Sequence, residues 1–171
     1  MTSVSYRLAT LADLPRLVEI YNQAINEGGC TADLEPYTVE QRRAWFDDHS
    51  RAPFQIYVVV AGGELAGYFY FSTWRGGRRA LRDVAEVSYY FDQAVRGKGF
   101  GRYALAQAEQ IARDSGLRYL LAILLECNTA SRVLLEKNGF VHAGVLPQIA
   151  DLGGTMCGQL IMFKLLDKES K

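Results

Sequence analysis

Residues 119–125, YLLAILL, form an almost unbroken apolar run of strand length. A strand with apolar side chains on both faces needs cover on both faces, as in a sheet flanked by helices. The chain has 171 residues, 49% of them hydrophobic, which is enough to build that cover within one domain. A single domain over residues 1–171 is therefore expected.

Around this run the hydrophobic period changes repeatedly. Residues 5–9 alternate as a short strand, and Thr10 with Asp13 has the spacing of a capping box. Leu14, Leu17, Val18, Tyr21, Ala24 and Ile25 then recur at helical spacing until Gly28-Gly29. Thr38 and Gln41 repeat the start signal for a second short helix reaching about Asp48. FQIYVVV, the pair Gly62-Gly63 and ELAGYFYFSTW read as a β-hairpin, WRGGRRALRD as a loop and AEVSYYF as a further strand. Helical spacing returns from Gly99 to about Ser115 and stops at Gly116. After the apolar run, Asn128 opens a helix through about Lys137, closed by Asn138-Gly139, and FVHAGVL and GQLIMFKLL are the last strands. This order predicts a mixed α/β sheet.

Charge and cysteine content exclude several functions. Nineteen basic and nineteen acidic residues give a net charge of zero, so no overall field favours nucleic acid or an anionic membrane. The start MTSVSYRLAT lacks a basic segment followed by an apolar core, and no run approaches a membrane span. A soluble cytoplasmic protein is expected. Cys30, Cys127 and Cys157 form no CxxC pair, and only His49 and His142 could join them, so no metal site is expected.

The stretch RGKGFGR, Arg96–Arg102, lies between a predicted strand and a predicted helix. Its backbone N–H groups would sit at the positive end of the helix dipole with few side chains in the way, the form of a pyrophosphate site. A P-loop would need a GK[ST], which is absent. A dinucleotide fingerprint would need glycine at Arg102 and an acid where YLLAILL lies. Arg96-x-x-Gly99-x-Gly101 instead resembles the Q/R-x-x-G-x-G/A loop of the GNAT N-acetyltransferases, which bind acetyl-CoA. NTASRVLLEKNGF resembles that family's Asn-led helix, RLATLADLPRLVEIYNQAI its first strand and helix, and AGGELAGYFYFSTW its hairpin. The resemblance spans nearly the whole chain and is nearest to the phosphinothricin-acetyltransferase-like branch, which acetylates small amino compounds.

The resemblance implies a central, mostly antiparallel sheet splayed at the coenzyme site and flanked by helices. Backbone groups of Tyr89, Tyr90 and Phe91 would pair with the pantetheine arm, and Gly97, Lys98, Gly99, Phe100, Gly101 and Arg102 would wrap the pyrophosphate, with Arg96, Lys98 or Arg102 adding charge. Asn128 would bond the pantetheine arm or serve simply as an N-cap. Glu86 matches the branch's general base, its alternative being a solvated carboxylate on an outer strand face. The family suggests a backbone N–H near Phe91 for the oxyanion. Where many members carry a tyrosine that protonates the departing thiolate, this chain has Leu135, leaving Tyr90, Tyr103 or water as substitutes. A covalent route through Cys127 has no histidine nearby in sequence, and a cysteine ending an apolar strand is ordinarily core.

For the acceptor, Arg75, Arg78, Arg79 and Arg82 offer forks suited to a carboxylate or phosphonate, or are simply solvated. Trp74 and Cys30-Thr31-Ala32 fall where the branch lines its acceptor pocket, but Ala32 replaces a larger aromatic, and DLGGTMCGQ lacks the branch's tryptophan and aspartate. Phosphinothricin itself is therefore not the expected acceptor. The expected activity is acetyl transfer from acetyl-CoA to the primary amine of a small molecule, an amino acid or analogue, by direct transfer. The alternatives are acetylation of a protein N-terminus or lysine, for which no acidic cluster stands out, and a non-catalytic acetyl-CoA-binding module, for which Leu135 is the main argument. The resemblance also implies a homodimer.

Overall fold

A computed structural model describes residues 3–166. Seven strands form one sheet: β1 (Val4–Leu8), β2 (Ile56–Ala61), β3 (Glu64–Thr73), β4 (Val84–Phe91), β5 (Tyr119–Leu125), β6 (Val141–Asp151) and β7 (Met156–Leu165). Their spatial order is β1-β2-β3-β4-β5-β7-β6. Every neighbouring pair is antiparallel except β4 and β5. Four helices accompany them: α1 (Leu14–Glu27), α2 (Arg43–Asp48), α3 (Phe100–Asp114) and α4 (Thr129–Lys137). Among the described residues no helix is long and apolar enough to cross a membrane.

Period-two alternation divides the strand residues between two cores. Tyr57, Val59, Phe69, Phe71, Ala85 and Val87 pack with Ala104, Leu105, Ala108 and Ala112 of α3 and Leu135 of α4. On the opposite face Ile56, Val58 and Tyr68 meet Leu17 and Ile20 of α1, with Trp45 and Phe46 of α2 packed against them. The second face is unusually aromatic, and Tyr70, Tyr90 and Trp45 close over Tyr68.

The Thr10 capping box forms as expected and opens a 3-10 turn, Leu11–Asp13, that runs into α1. Asp13 accepts from the Thr10 N–H at 2.7 Å and takes two 2.8 Å bonds from Arg7. The Arg7 bonds, with those from Thr10, outweigh desolvation and hold its carboxyl at about 2. Because the folded pKa is depressed, this stabilisation is complete above the unfolded aspartate pKa of about 4. It fades as pH falls toward about 2. Asp13→Ala is expected to cost about 1–2 kcal/mol at neutral pH, and urea midpoints of the two proteins should converge in acid.

Three expectations needed adjustment. The Thr38–Gln41 cap hydrogen bonds form at 2.7 and 3.3 Å, but regular helix begins only at Arg43. The Arg42 N–H is shared between Thr38 and Val39 carbonyls at 3.3 and 3.2 Å, a loose turn rather than α geometry. The run 119–125 is a strand, yet its two faces differ: Leu120, Ala122 and Leu124 are buried, while Tyr119, Leu121 and Ile123 on the other face are only half-buried. The strand predicted at 140–146 extends from Val141 to Asp151, with register shifts at His142/Gly144 and Leu146/Ala150. An edge position accommodates its Pro147, whose missing N–H costs no ladder bond there.

Candidate active site

Parallel pairing of β4 with β5 runs only through Val84–Tyr119, Ala85–Leu120 and Glu86–Leu121. On its other side β4 stays paired with β3 as far as Phe91. The β5-facing backbone of Val87–Phe91 therefore has no strand partner, and the two strands open into a cleft of about 920 Å³. Unpaired strand backbone beside an apolar wall is suited to an extended, amide-bearing ligand.

The glycine loop lies at the mouth of this cleft. Gly97 and Gly99 have φ of +74° and +89°, a region costly for other residues, and Gly99 is the N-cap of α3. Gly97, Gly99, Phe100, Gly101 and Arg102 line the cleft, as does Arg96; Lys98 is not among the lining residues. Two of the loop's cations hold the loop itself. Arg96 forms an ion pair with Glu27 of α1 and donates to the Phe91 carbonyl at 3.2 Å, while Lys98 donates to the Ala94 carbonyl at 3.0 Å. The bond from Arg96 holds the Glu27 carboxyl below its ordinary range. Asp92 fastens the same corner by accepting from Arg16 at 2.5 Å and Gln23 at 3.1 Å. What remains for an anion is the α3 N-terminus, its backbone N–H groups and Arg102.

The far wall comes from α4. Asn128 lines the cleft and its Oδ1 accepts the Ser131 N–H at 3.1 Å, so the N-cap role is realised and the amide nitrogen is left over. Leu135 is buried at the cleft wall. Tyr89 points toward α4, its hydroxyl 2.6 Å from Ser131 Oγ, and burial, partly offset by Ser131, pushes that hydroxyl up to about 12. Tyr90 projects from the opposite face and meets Tyr21 edge-on at 4.7 Å between centroids, and Tyr103 does not line the cleft. Neither substitute proton donor named from the sequence presents its hydroxyl there. Cys127 sits on the cleft wall with its Sγ 3.2 Å from that of Cys157. Desolvation and then the Cys157 thiol push Cys127 up, keeping it a thiol at neutral pH and a weak nucleophile.

Glu86 occupies the last residue pair before the strands part. Its side chain shares the aromatic face with Ser88 and Tyr90, and desolvation raises its pKa above the ordinary glutamate range. The loop arginines Arg75, Arg78, Arg79 and Arg82 are exposed, and Ala32 is exposed in the segment after α1. Trp74 is half-buried and Arg75 lies 5.9 Å from its ring centroid. None of these six lines the cleft. Sequence reasoning missed Glu27 and the set Tyr21, Tyr37, Arg42 and Trp45. Arg42 lies 4.1 Å from the Trp45 ring centroid, 4.7 Å from that of Tyr21 and 5.2 Å from that of Tyr37. Nothing in the spacing of those residues signals that they meet. Among the described residues no group of three or more His, Cys, Asp or Glu could hold a metal ion.

Residues 4–141 match the acetyltransferase (GNAT) domain family. The chain is 40% identical over 151 residues to YwnH of Bacillus subtilis, provisionally named a phosphinothricin acetyltransferase, covering 88% of this chain and 92% of the relative. It is 35% identical over 153 residues to the L-methionine sulfoximine/L-methionine sulfone acetyltransferase of Pseudomonas aeruginosa, covering 89% and 88%. The structure of yncA from Salmonella typhimurium, solved with its cofactor acetyl-CoA, superposes with a TM-score of 0.88 at 27% identity, covering 98% of this chain and 96% of that one. The parted strands, the glycine loop and these likenesses agree: the chain belongs to the GNAT acetyltransferase family, in its phosphinothricin-acetyltransferase-like branch.

Proposed function

We propose that this protein transfers an acetyl group from acetyl-CoA to the primary amine of an amino acid or close analogue, directly and without an acyl-enzyme. The observation that carries this reading is the parting of β4 from β5 immediately after Glu86, with the glycine loop at the open end. Acetyl-CoA supplies an acetyl group activated as a thioester. The free backbone of Val87–Phe91 takes the pantetheine amides as a neighbouring strand would, the N–H groups of Gly97–Arg102 take the pyrophosphate, and the amide nitrogen of Asn128 is free to meet the arm. Arg96 and Lys98 serve mainly to shape the loop.

An ammonium cannot attack a carbonyl until it loses a proton. Glu86, desolvated and without a hydrogen-bond partner among the described residues, is placed to take that proton directly or through water. The oxyanion donor must lie near the reacting carbon. Phe91 stands five positions after Glu86, roughly 16 Å at about 3.3 Å each, so the donor belongs to a β5-facing N–H within Val87–Tyr89 rather than to Phe91. Cys127, held as a thiol, has no part in this route.

The relatives' names supply the acceptors to try. Thiol release from acetyl-CoA should be measured across L-methionine sulfone, L-methionine sulfoximine, phosphinothricin, common amino acids, polyamines and short peptides, alongside calorimetric acetyl-CoA binding. Turnover on an amino-acid analogue is the expected result. Acetyl-CoA binding with turnover only on peptides would replace the small-molecule reading, and absence of binding would remove the reading of the cleft.

The homodimer also belongs to this reading. Val141, Val145, Leu146 and Ile149 of the edge strand, with Met156 of its hairpin partner, are between 40% and 55% exposed. Apolar side chains in such number on one hairpin are suited to a second copy. Sedimentation should give twice the 19.1 kDa chain mass, and a monomer at micromolar concentration would overturn it.

A further inference from the structure

Among the described residues Arg42 is a half-buried cation paired with no anion. Arg7, Arg16, Arg43, Arg82, Arg96 and Arg113 each pair with a carboxylate. Among the described residues the Arg42 guanidinium makes no ion pair or side-chain hydrogen bond. It is held by the rings of Tyr21, Tyr37 and Trp45, from α1, the segment after it and α2. Aromatic contacts attract the cation and restrict its orientation but satisfy none of its N–H donors. A planar fork fixed in this way and left unpaired is a receptor for a planar anion.

Arg42 also stands on the aromatic face that carries Glu86. Trp45, under Arg42, meets Tyr70 at 5.3 Å between centroids. Tyr70 is opposite Ser88 in the β3–β4 register, and Ser72, two residues on, is opposite Glu86. Burial raises the Tyr70 hydroxyl pKa, and both the Arg42 cation, which opposes that shift, and the Glu86 carboxylate, which adds to it, act on the group. A cation and a carboxylate thus flank one tyrosine, a charge pattern complementary to a zwitterion with its carboxylate toward Arg42 and its amine toward Glu86.

Building on the acetyltransferase reading, we propose that Arg42 is the acceptor-recognition residue, binding the α-carboxylate of an amino-acid acceptor through paired N–H bonds while the amine faces Glu86. This assigns the anion-binding role to a caged arginine rather than to the exposed Arg75 and Arg78 of the β3–β4 loop. It also makes the enzyme selective for amino acids over simple amines of the same side chain.

The test compares L-methionine sulfone with its primary amide, which keeps size and amine but lacks the charge, in the wild type, Arg42→Gln, Arg42→Lys, Arg75→Gln and Arg78→Gln. The wild type should prefer the acid. Arg42→Gln should lose about 30–100-fold in kcat/KM on the acid, mostly through KM, and less than about threefold on the amide. Arg42→Lys should recover part of the loss, and acetyl-CoA affinity should be unchanged because Arg42 does not line the coenzyme cleft. Tyr68→Phe controls for packing: its hydroxyl is buried without a partner, so both acceptors should be affected alike. Equal losses on acid and amide in Arg42→Gln, or a selective loss in Arg75→Gln or Arg78→Gln instead, would overturn the assignment. If the wild type binds acetyl-CoA yet acetylates neither acceptor, the transfer reading fails separately. Calorimetric binding of L-methionine sulfone to the CoA-bound protein then decides the subsite: binding abolished by Arg42→Gln supports it, and absent or unaltered binding refutes it.

Discussion

Replacing Glu86 by glutamine is expected to lower kcat by about 10²–10⁴-fold while leaving the acetyl-CoA dissociation constant unchanged. Glutamine keeps the shape of the side chain and removes only its ability to accept a proton. The residue does not line the coenzyme cleft, so binding and chemistry separate at this position. Desolvation raises the folded pKa of Glu86, so the folded protein holds this proton more tightly than the unfolded chain. Its contribution to stability is present below the unfolded glutamate pKa and is lost as pH rises through the folded value. At neutral pH the buried carboxylate is therefore a burden on the fold, and Glu86→Gln should be as stable as the wild type or more so, by thermal denaturation. The wild-type kcat/KM should rise with pH along a limb lying above the ordinary glutamate range, and the glutamine variant should lack that limb. A variant with wild-type kcat and an unchanged profile would show that the amine is deprotonated elsewhere.

The parts of this site that were legible in the sequence are those in which local backbone chemistry decides the outcome. Gly99 had to be glycine because the N-cap of α3 takes a left-handed conformation, and the capping box at Thr10 and Asp13 formed with the residues its spacing named. Asn128 could be read as cap or ligand, and the structure shows the cap. Glu86 was found as the acid of its strand, but its desolvation comes from neighbours on other elements. What stayed hidden depends on contacts between distant segments. The brace from Arg96 to Glu27 joins residues 69 apart in sequence, and in the sequence Arg96 looked like a ligand for phosphate. Arg42 lies in a pair of arginines with nothing to mark which would be captured by aromatic rings. The divergence of β4 from β5 is a property of the sheet, and a uniformly apolar strand implies cover on both faces because an apolar cleft wall and an apolar core use the same side chains.

A second large effect is expected at a glycine outside the loop motif. Gly67 on β3 pairs with Phe91, the last residue of β4. A Cβ at position 67 would lie 2.6 Å from the Tyr90 carbonyl oxygen and would also strike the Phe91 ring. The ring could rotate, but the carbonyl belongs to a strand held in register, so relief requires moving the end of β4. That end bounds the cleft and receives the Arg96 brace through the Phe91 carbonyl. Gly67→Ala should therefore lose about 2–3 kcal/mol, a fall in Tm of about 4–10 °C, and weaken acetyl-CoA binding at least about tenfold, equivalent to about 1.4 kcal/mol. Gly101 provides the contrast. A Cβ there would meet Leu134 Cδ2 at 2.7 Å, the free end of a flexible side chain, so Gly101→Ala should change Tm by much less although this glycine belongs to the motif. Measuring both variants by thermal denaturation and acetyl-CoA titration separates a glycine required by the loop pattern from one required by the strand that shapes the cleft. If Gly67→Ala keeps wild-type stability and affinity, the end of β4 is compliant, and the opening between β4 and β5 does not depend on this close approach.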